Sequence, residues 1–330
     1  MTFSKTDSYS FLNINEVASI LSDITSQGVY KILKKENIDS ILVTPKRRVV
    51  TPEGMRTILT NRGFNFQKKV LAFDMIKGGV GKTTISSTLA VRASHYGCKT
   101  LLVDFDLQGN LTRSFTLPQD NFPVWLNVIK NEEQVENCII NLNPYLDIIP
   151  SNLNNSRLDI EMSSNNCNIK DIVLDTLAPI KDNYDLIIID CPPAINKVSA
   201  SAICASNSVI IPLTPDPYAI DGLEMTVSEI KRIQKAFKLK NINYFIVWNK
   251  YDARKRLGTV YMHNLLKEYP VESVIPVVIR TDSNYENAIA NANSIFELQK
   301  PSCAKEDIDQ LTREILNINS WIDCNKNGQS

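Results

Sequence analysis

From Val70 onward the chain repeats one theme: a short, largely apolar run, then a helix-length segment with a single apolar stripe. The runs are Val70–Met75, Thr100–Phe105, Leu146–Ile149, Leu186–Asp190, Val209–Leu213, Tyr244–Trp248 and Val274–Val278. Several are apolar at consecutive positions, so both faces need cover, as in parallel strands packed between helices. Repeated strand–helix–strand units predict an α/β fold, a doubly wound and mostly parallel sheet with ligands at the carboxyl ends of its strands.

Residues 1–66 read differently. Asn13 or Asn15 caps a helix through Val17, Ile20 and Leu21; Thr25 or Ser26 caps a second with Val29, Ile32 and Leu33 at helical spacing. A basic extended stretch follows over Ile41–Val50. Thr51 then caps a third helix, with Pro52 at its first position and Met55, Ile58 and Leu59 facing inward, ending at Arg62-Gly63. The pattern predicts a small winged helix-turn-helix-like unit over 1–66 and an α/β unit over 67–330.

Composition narrows the class. With 330 residues, 43% hydrophobic and 22% charged, the chain has material for a large core. No run approaches the roughly 18 apolar residues of a membrane span. Polar Met1–Ser10 lacks the apolar centre of an export signal, so a cytoplasmic protein is expected. Seven scattered cysteines form no CxxC pair, which argues against a disulfide framework, a zinc site or an iron–sulfur site. Lys+Arg and Asp+Glu are both 36, but they are unevenly placed. Residues 1–70 carry 11 basic and 6 acidic side chains, whereas residues 71–330 carry 25 and 30.

The decisive segment is Lys77-Gly78-Gly79-Val80-Gly81-Lys82-Thr83-Thr84, placed between a predicted strand and a helix through Ile85, Leu89 and Val91. Glycines let the backbone wrap so that successive N–H groups point at phosphate oxygens, and the helix aims its positive end at the same anion. Lys82 supplies charge to the β and γ phosphates, and the Thr83 hydroxyl is placed for Mg²⁺. Lys77 is the unusual member, because two lysines in one short loop repel unless both meet phosphate.

This dual-lysine loop resembles the deviant Walker A motif of the ParA/MinD family of ATPases. The resemblance continues in Asp104-Phe105-Asp106-Leu107-Gln108-Gly109-Asn110, where the family's usual proline is replaced by Leu107, and in Leu186–Asp190 followed by Cys191-Pro192-Pro193, which is similar to its Walker B strand. Pro212-Leu213-Thr214-Pro215-Asp216-Pro217 resembles a segment near the base, and Asp252-Ala253-Arg254 matches a ParA-type stretch. The similarity spans roughly residues 68–300. It implies ATP and Mg²⁺ as cofactors, with Lys77, Lys82 and Asp106 as catalytic residues and Thr83, Asp106 and Asp190 around the metal. Residues 77–84, Pro215, Asp216 and Asn249 would bind nucleotide, Asn249 through the adenine. It further implies that Lys77 crosses to a partner's nucleotide in an ATP-dependent homodimer, and that a ParB-like centromere-binding protein stimulates weak hydrolysis.

Rival readings carry their own signals. Asn249-Lys250-Tyr251-Asp252 also fits N-K-x-D, a guanine-reading motif in which the aspartate accepts two hydrogen bonds. A MinD-like membrane helix would be basic, whereas the last helical stripe (Ile308, Leu311, Ile315) is flanked by Glu306, Asp307, Asp309 and Glu314, so no membrane partner is expected.

DNA is the expected macromolecular partner. A helix–turn–helix over Ile14–Leu21 and Thr25–Lys34, then basic Lys46-Arg47-Arg48, resembles the N-terminal extension of larger plasmid ParA proteins that bind their own operator. Ser26, Gln27, Tyr30 and Lys31 would face the groove, and Arg47 and Arg48 the backbone. A second basic cluster, with Lys231, Arg232 and Lys235, and a further candidate, Arg280, suit nonspecific phosphate contact. The expected function is ATP-dependent plasmid or chromosome partition by a nucleoid-associated protein, with repression of its own operon as a further expected role. A transcriptional repressor without a segregation role and a MinD-like positioning ATPase are the alternatives.

Overall fold

The computed structural model describes residues 10–327, apart from 23, 118–120, 165–167, 241, 291–292 and 299–300. The polar start of the chain and Cys167 lie outside the described residues. Among the described residues, ten strands form two sheets. A two-stranded hairpin joins β1 (Ser40–Thr44) and β2 (Arg47–Val50). The main sheet contains β3 (Lys69–Phe73), β4 (Thr100–Asp104), β5 (Ile140–Asn143), β6 (Leu146–Ile149), β7 (Leu186–Asp190), β8 (Ser208–Leu213), β9 (Asn243–Tyr251) and β10 (Val274–Arg280). Its order is β10-β9-β8-β3-β7-β4-β6-β5, with every neighbouring pair parallel except β5–β6.

The double-sided apolar runs have a direct structural reason. In β3, β4, β7 and β8, alternate residues enter cores on opposite faces: Leu71, Phe73, Leu102, Ile188 and Ile210 on one, Ala72, Leu101, Val103, Ile187 and Ile189 on the other, with Val209 and Ile211 in a third cluster under the helix Pro217–Phe237. All seven predicted runs are strands. The eighth, β5, escapes the apolar pattern because it is a short antiparallel edge containing Asn141 and Asn143, with a register shift between them. β9 runs past its apolar stretch to Tyr251, which brings Asn249 and Lys250 to the sheet's carboxyl edge.

The N-terminal elements are α1 (Ile14–Leu21), α2 (Ser26–Lys35), the hairpin and α3 (Pro52–Asn61). Asn13 and Glu16 form a reciprocal capping box on α1; Thr25 and Thr51 cap α2 and α3. The basic stretch expected as one extended segment is a turn-linked hairpin. Val17, Ile20, Val29, Met55, Ile58 and Leu59 belong to the same apolar cluster as Leu71, Leu89 and Ile308, so the boundary read after residue 66 falls in a link between elements that share one core.

A buried polar clamp reinforces that union. Arg92, near the end of α4 (Lys82–His95), is only 2% exposed. It donates to Glu16 of α1 at 2.9 Å and to Asp309 of the helix Cys303–Ile315 at 2.6 Å. Asp309 also accepts from the Tyr96 hydroxyl and pairs with Arg313 at 2.6 Å. Burial pushes the Asp309 carboxyl up, but Arg92 and Arg313 outweigh it and hold it below its ordinary value.

Removing one partner of a buried network leaves uncompensated charge. Asp309→Ala should therefore lower unfolding stability by about 3–5 kcal/mol in urea titrations. Because the folded carboxyl sits below its unfolded value, its contribution is complete above the unfolded value and is lost as pH falls through the folded one. Asp309→Asn should accordingly show a shallower acid-side loss of stability than the parent chain; identical acid slopes would contradict the clamp.

Candidate nucleotide site

The site is built at the carboxyl end of β3, between β7 and β8. The chain leaves β3, wraps through the glycines and re-enters regular structure at Lys82. Gly79 (φ +76) and Gly81 (φ +97) hold left-handed conformations that side chains resist. At Gly81 a Cβ would also lie 2.3 Å from Asn249 Nδ2, so no other residue fits without displacing that amide. Nothing lies within 4 Å of where a Cβ at Gly78 or Gly79 would project, which leaves an open backbone cradle. No side chain caps α4, so its first N–H groups remain for an anion.

The two lysines of the loop have opposite environments. Lys82 is 6% exposed and donates to the Met75 carbonyl at 2.9 Å, tucked beneath the loop. Lys77 stands at the rim and pairs with Asp216. Asp216 also accepts from the Thr214 hydroxyl and from Ala219 N–H, capping the helix Pro217–Phe237. Burial would raise its carboxyl, but Lys77 and these donors prevail and hold it below the ordinary range.

Behind the loop are three carboxylates of different duty. Asp190 ends β7, is fully buried and accepts from the Thr83 hydroxyl at 2.6 Å, while its Oδ1 has no hydrogen-bond partner. Burial, reinforced by the charge of Asp104, pushes it up to about 8. Asp104 is a structural post: it accepts from Asp106 N–H and from the N–H and hydroxyl of Thr112. Its burial outweighs those donors and raises it to about 7. Asp106, 8% exposed, accepts from Gln108 N–H at 3.0 Å, so the loop it begins is fixed at both ends.

A family model described as an AAA domain matches residues 68–243, more than half of the chain. Sporulation initiation inhibitor protein Soj of Bacillus subtilis (strain 168) is 29% identical over 252 residues, spanning 75% of this chain and 98% of that protein. Chromosome-partitioning ATPase Soj of Treponema pallidum (strain Nichols) is 28% identical over 253 residues, spanning 75% and 97%. The chain belongs to that family, in its ParA/MinD branch. Among solved structures, an ATP complex of a McdA variant from Cyanothece shares the fold, with a TM-score of 0.67 and 22% identity over 76% of this chain and 97% of that one.

Within this ParA/MinD-type framework several expected contacts take a different form. Asn249, read above as an adenine contact, donates its amide to the Val80 carbonyl at 2.7 Å, because β9 delivers it against the phosphate loop. Lys250, which continues the second basic cluster in the sequence, instead donates to the Gly79 carbonyl at 2.9 Å. Asp74 was missed; this 4% exposed carboxyl just after β3 has an unpartnered Oδ1, and burial, against the pull of Lys82, raises it to about 7. Pro215 packs near Gly258, and Asp216 serves the rim through Lys77.

The DNA candidates also divide. Gln27, Tyr30 and Lys31 are exposed on α2, joined by Lys34 one turn on, while Ser26 bonds Asn15 of α1. Arg48 donates to Ser40 across the hairpin. Arg47 lines a 450 Å³ cleft with Arg92, Lys305 and Arg313, turned toward the helix Cys303–Ile315 rather than outward. Lys231 and Lys235 are exposed; Arg232 is forked onto Glu229. Arg280 does not stand free: its guanidinium grips Asp307 and reaches Glu306, because β10 ends beside the helix Cys303–Ile315.

Losing the amide of Asn249 leaves the Val80 carbonyl without its donor and frees the loop. Asn249→Ala should weaken nucleotide binding by about tenfold, the worth of a buried hydrogen bond of about 1–1.5 kcal/mol. Titration of a fluorescent nucleotide measures this; unchanged affinity would separate β9 from loop ordering.

Proposed function

We propose that the chain is an ATP-dependent partition switch. ATP closes two copies into a sandwich dimer, and the dimer binds DNA without sequence preference. Hydrolysis, stimulated by a ParB-like partner, releases the DNA and moves plasmid or chromosome cargo.

The observation that carries this reading is the separation of the two loop lysines. Lys82 is turned under the cradle, where it serves phosphates bound within its own protomer. Lys77 stands at a rim flanked by Tyr218, 77% exposed, on a helix that also exposes Met225 one stripe further along. Gly222, between them on that stripe, lets the helix approach Lys77 closely. A cation bordered by exposed apolar side chains is suited to a second copy bringing its own phosphates.

The donors present fit magnesium. The Thr83 hydroxyl and the buried, half-satisfied Asp190 carboxylate form a pair that would hold the ion beside the phosphates. Among the described residues no group of three His, Cys, Asp or Glu side chains makes a closed cage, which suits an ion that keeps waters and phosphate oxygens as ligands. When bound, magnesium neutralises phosphate charge. The chain's own residues do the rest: loop amides and Lys82 bind and orient the phosphates, and Asp106, fixed by Asp104, orients a water toward the terminal phosphorus.

Exposed Lys231, Lys235, Lys238 and Lys240 support nonspecific DNA contact. The exposed α2 face supports a second role, repression through the N-terminal unit. No helix among the described residues is long and apolar enough to cross a membrane. The apolar stripe of the helix Cys303–Ile315 is buried in the core through Ile308, Leu311 and Ile315, which supports reading it as packing rather than as a membrane-binding face.

Asp106→Ala should retain ATP-dependent DNA binding while hydrolysis drops at least about a hundredfold and cargo movement stops; segregation that survives this change would overturn the switch. Sedimentation with a nonhydrolysable ATP analogue should find Lys77→Ala monomeric and the parent dimeric, and a dimer in both would remove Lys77 from the interface. Lys82→Ala should lose nucleotide binding altogether.

A further inference from the structure

The residues of N-K-x-D make two separate sets of contacts in this chain. Asn249 and Lys250 are bound to the carbonyls of Val80 and Gly79, so the turn that follows β9 is fixed relative to the phosphate loop. Two residues later comes Asp252, whose side chain is 14% exposed. A carboxylate there presents two acceptor oxygens, the complement of the parallel N1–H and 2-amino donors of guanine. Adenine has no such donor pair on that edge.

Both oxygens are already engaged. Arg254 Nε donates to Oδ1 at 2.9 Å and Arg254 Nη2 to Oδ2 at 2.9 Å, and the backbone N–H of Arg254 reaches Oδ1 at 3.1 Å. A guanidinium edge offers two parallel N–H donors at fixed spacing, the same pattern as the guanine edge. The turn that supplies it is tight: Lys255 N–H closes onto the Asp252 carbonyl at 2.9 Å. Arg254 itself is 89% exposed at its side chain, so apart from this fork it is a surface residue.

We propose that Arg254 is a specificity-determining residue: it occupies the Asp252 fork as an internal substitute for the guanine edge and so biases the site toward adenine nucleotides. This rests on reading the phosphate loop as a nucleotide site. The bias is bounded, because a solvent-exposed ion pair can be displaced; its geometry, not its strength, matches the competitor. Arginine and lysine should differ here, since lysine brings the charge without the fork.

The test is the ratio of GTP to ATP affinity, measured by competition against a fluorescent ATP analogue on the full chain. The parent should prefer ATP. Arg254→Ala should shift the ratio toward GTP by about fivefold, mainly through tighter GTP. Arg254→Lys should shift in the same direction, and Asp252→Asn combined with Arg254→Ala should cancel the gain. An unchanged ratio in Arg254→Ala, a parent-like ratio in Arg254→Lys, a gain that survives Asp252→Asn, or a parent that prefers GTP would each overturn the proposal. ATP binding that persists with an unshifted ratio defeats only the role of Arg254. A parent chain that binds neither nucleotide defeats the site reading together with it.

Discussion

A loop that turns its amides outward for an anion must find donors for the carbonyls it turns the other way. That constraint organises the site. Three carbonyls of the phosphate loop or its approach are held by side chains: Met75 by Lys82, Gly79 by Lys250 and Val80 by Asn249. Two of these donors come from β9, which is separated from β3 by β8. The cradle is therefore ordered by the sheet's carboxyl edge as a whole, with Gly79 and Gly81 supplying the backbone conformations and Asn249 filling the space a larger residue at 81 would need.

The phosphate-loop helix extends this order across the molecule. Its first turn faces the cradle, and Arg92 near its other end joins α1 to the helix Cys303–Ile315. Ser10 reaches His95 at the same end, and Arg56 of α3 holds both the Gly97 carbonyl and Asp185, just before β7. The N-terminal unit is thus seated on the elements that build the site, through buried polar contacts as well as apolar ones.

Much of this was legible in the sequence, for identifiable reasons. The apolar runs of the inner strands declared themselves because those strands are covered on both faces, and the phosphate loop because its spacing and strand–helix setting are stringent. The caps at Asn13, Thr25 and Thr51 could be read because they depend on local chemistry. What could not be read depends on distant partners. Nothing near Arg280 in sequence announces Asp307, and nothing near Arg92 announces Glu16 or Asp309. Asn249 and Lys250 were visible as a motif, but their use as props for the loop appears only once β9 lies two strands from β3. β5 was hidden by its polar, edge-strand composition.

That edge strand and its counterpart have a consequence for assembly. At one margin, β5 is four residues long, polar, reversed in direction and broken in register; at the other, β10 carries Pro276, which lacks an N–H, and also slips in register against β9. Neither margin offers a long regular row of unpaired amides and carbonyls. Copies of the chain are thereby discouraged from annealing side by side into fibrils.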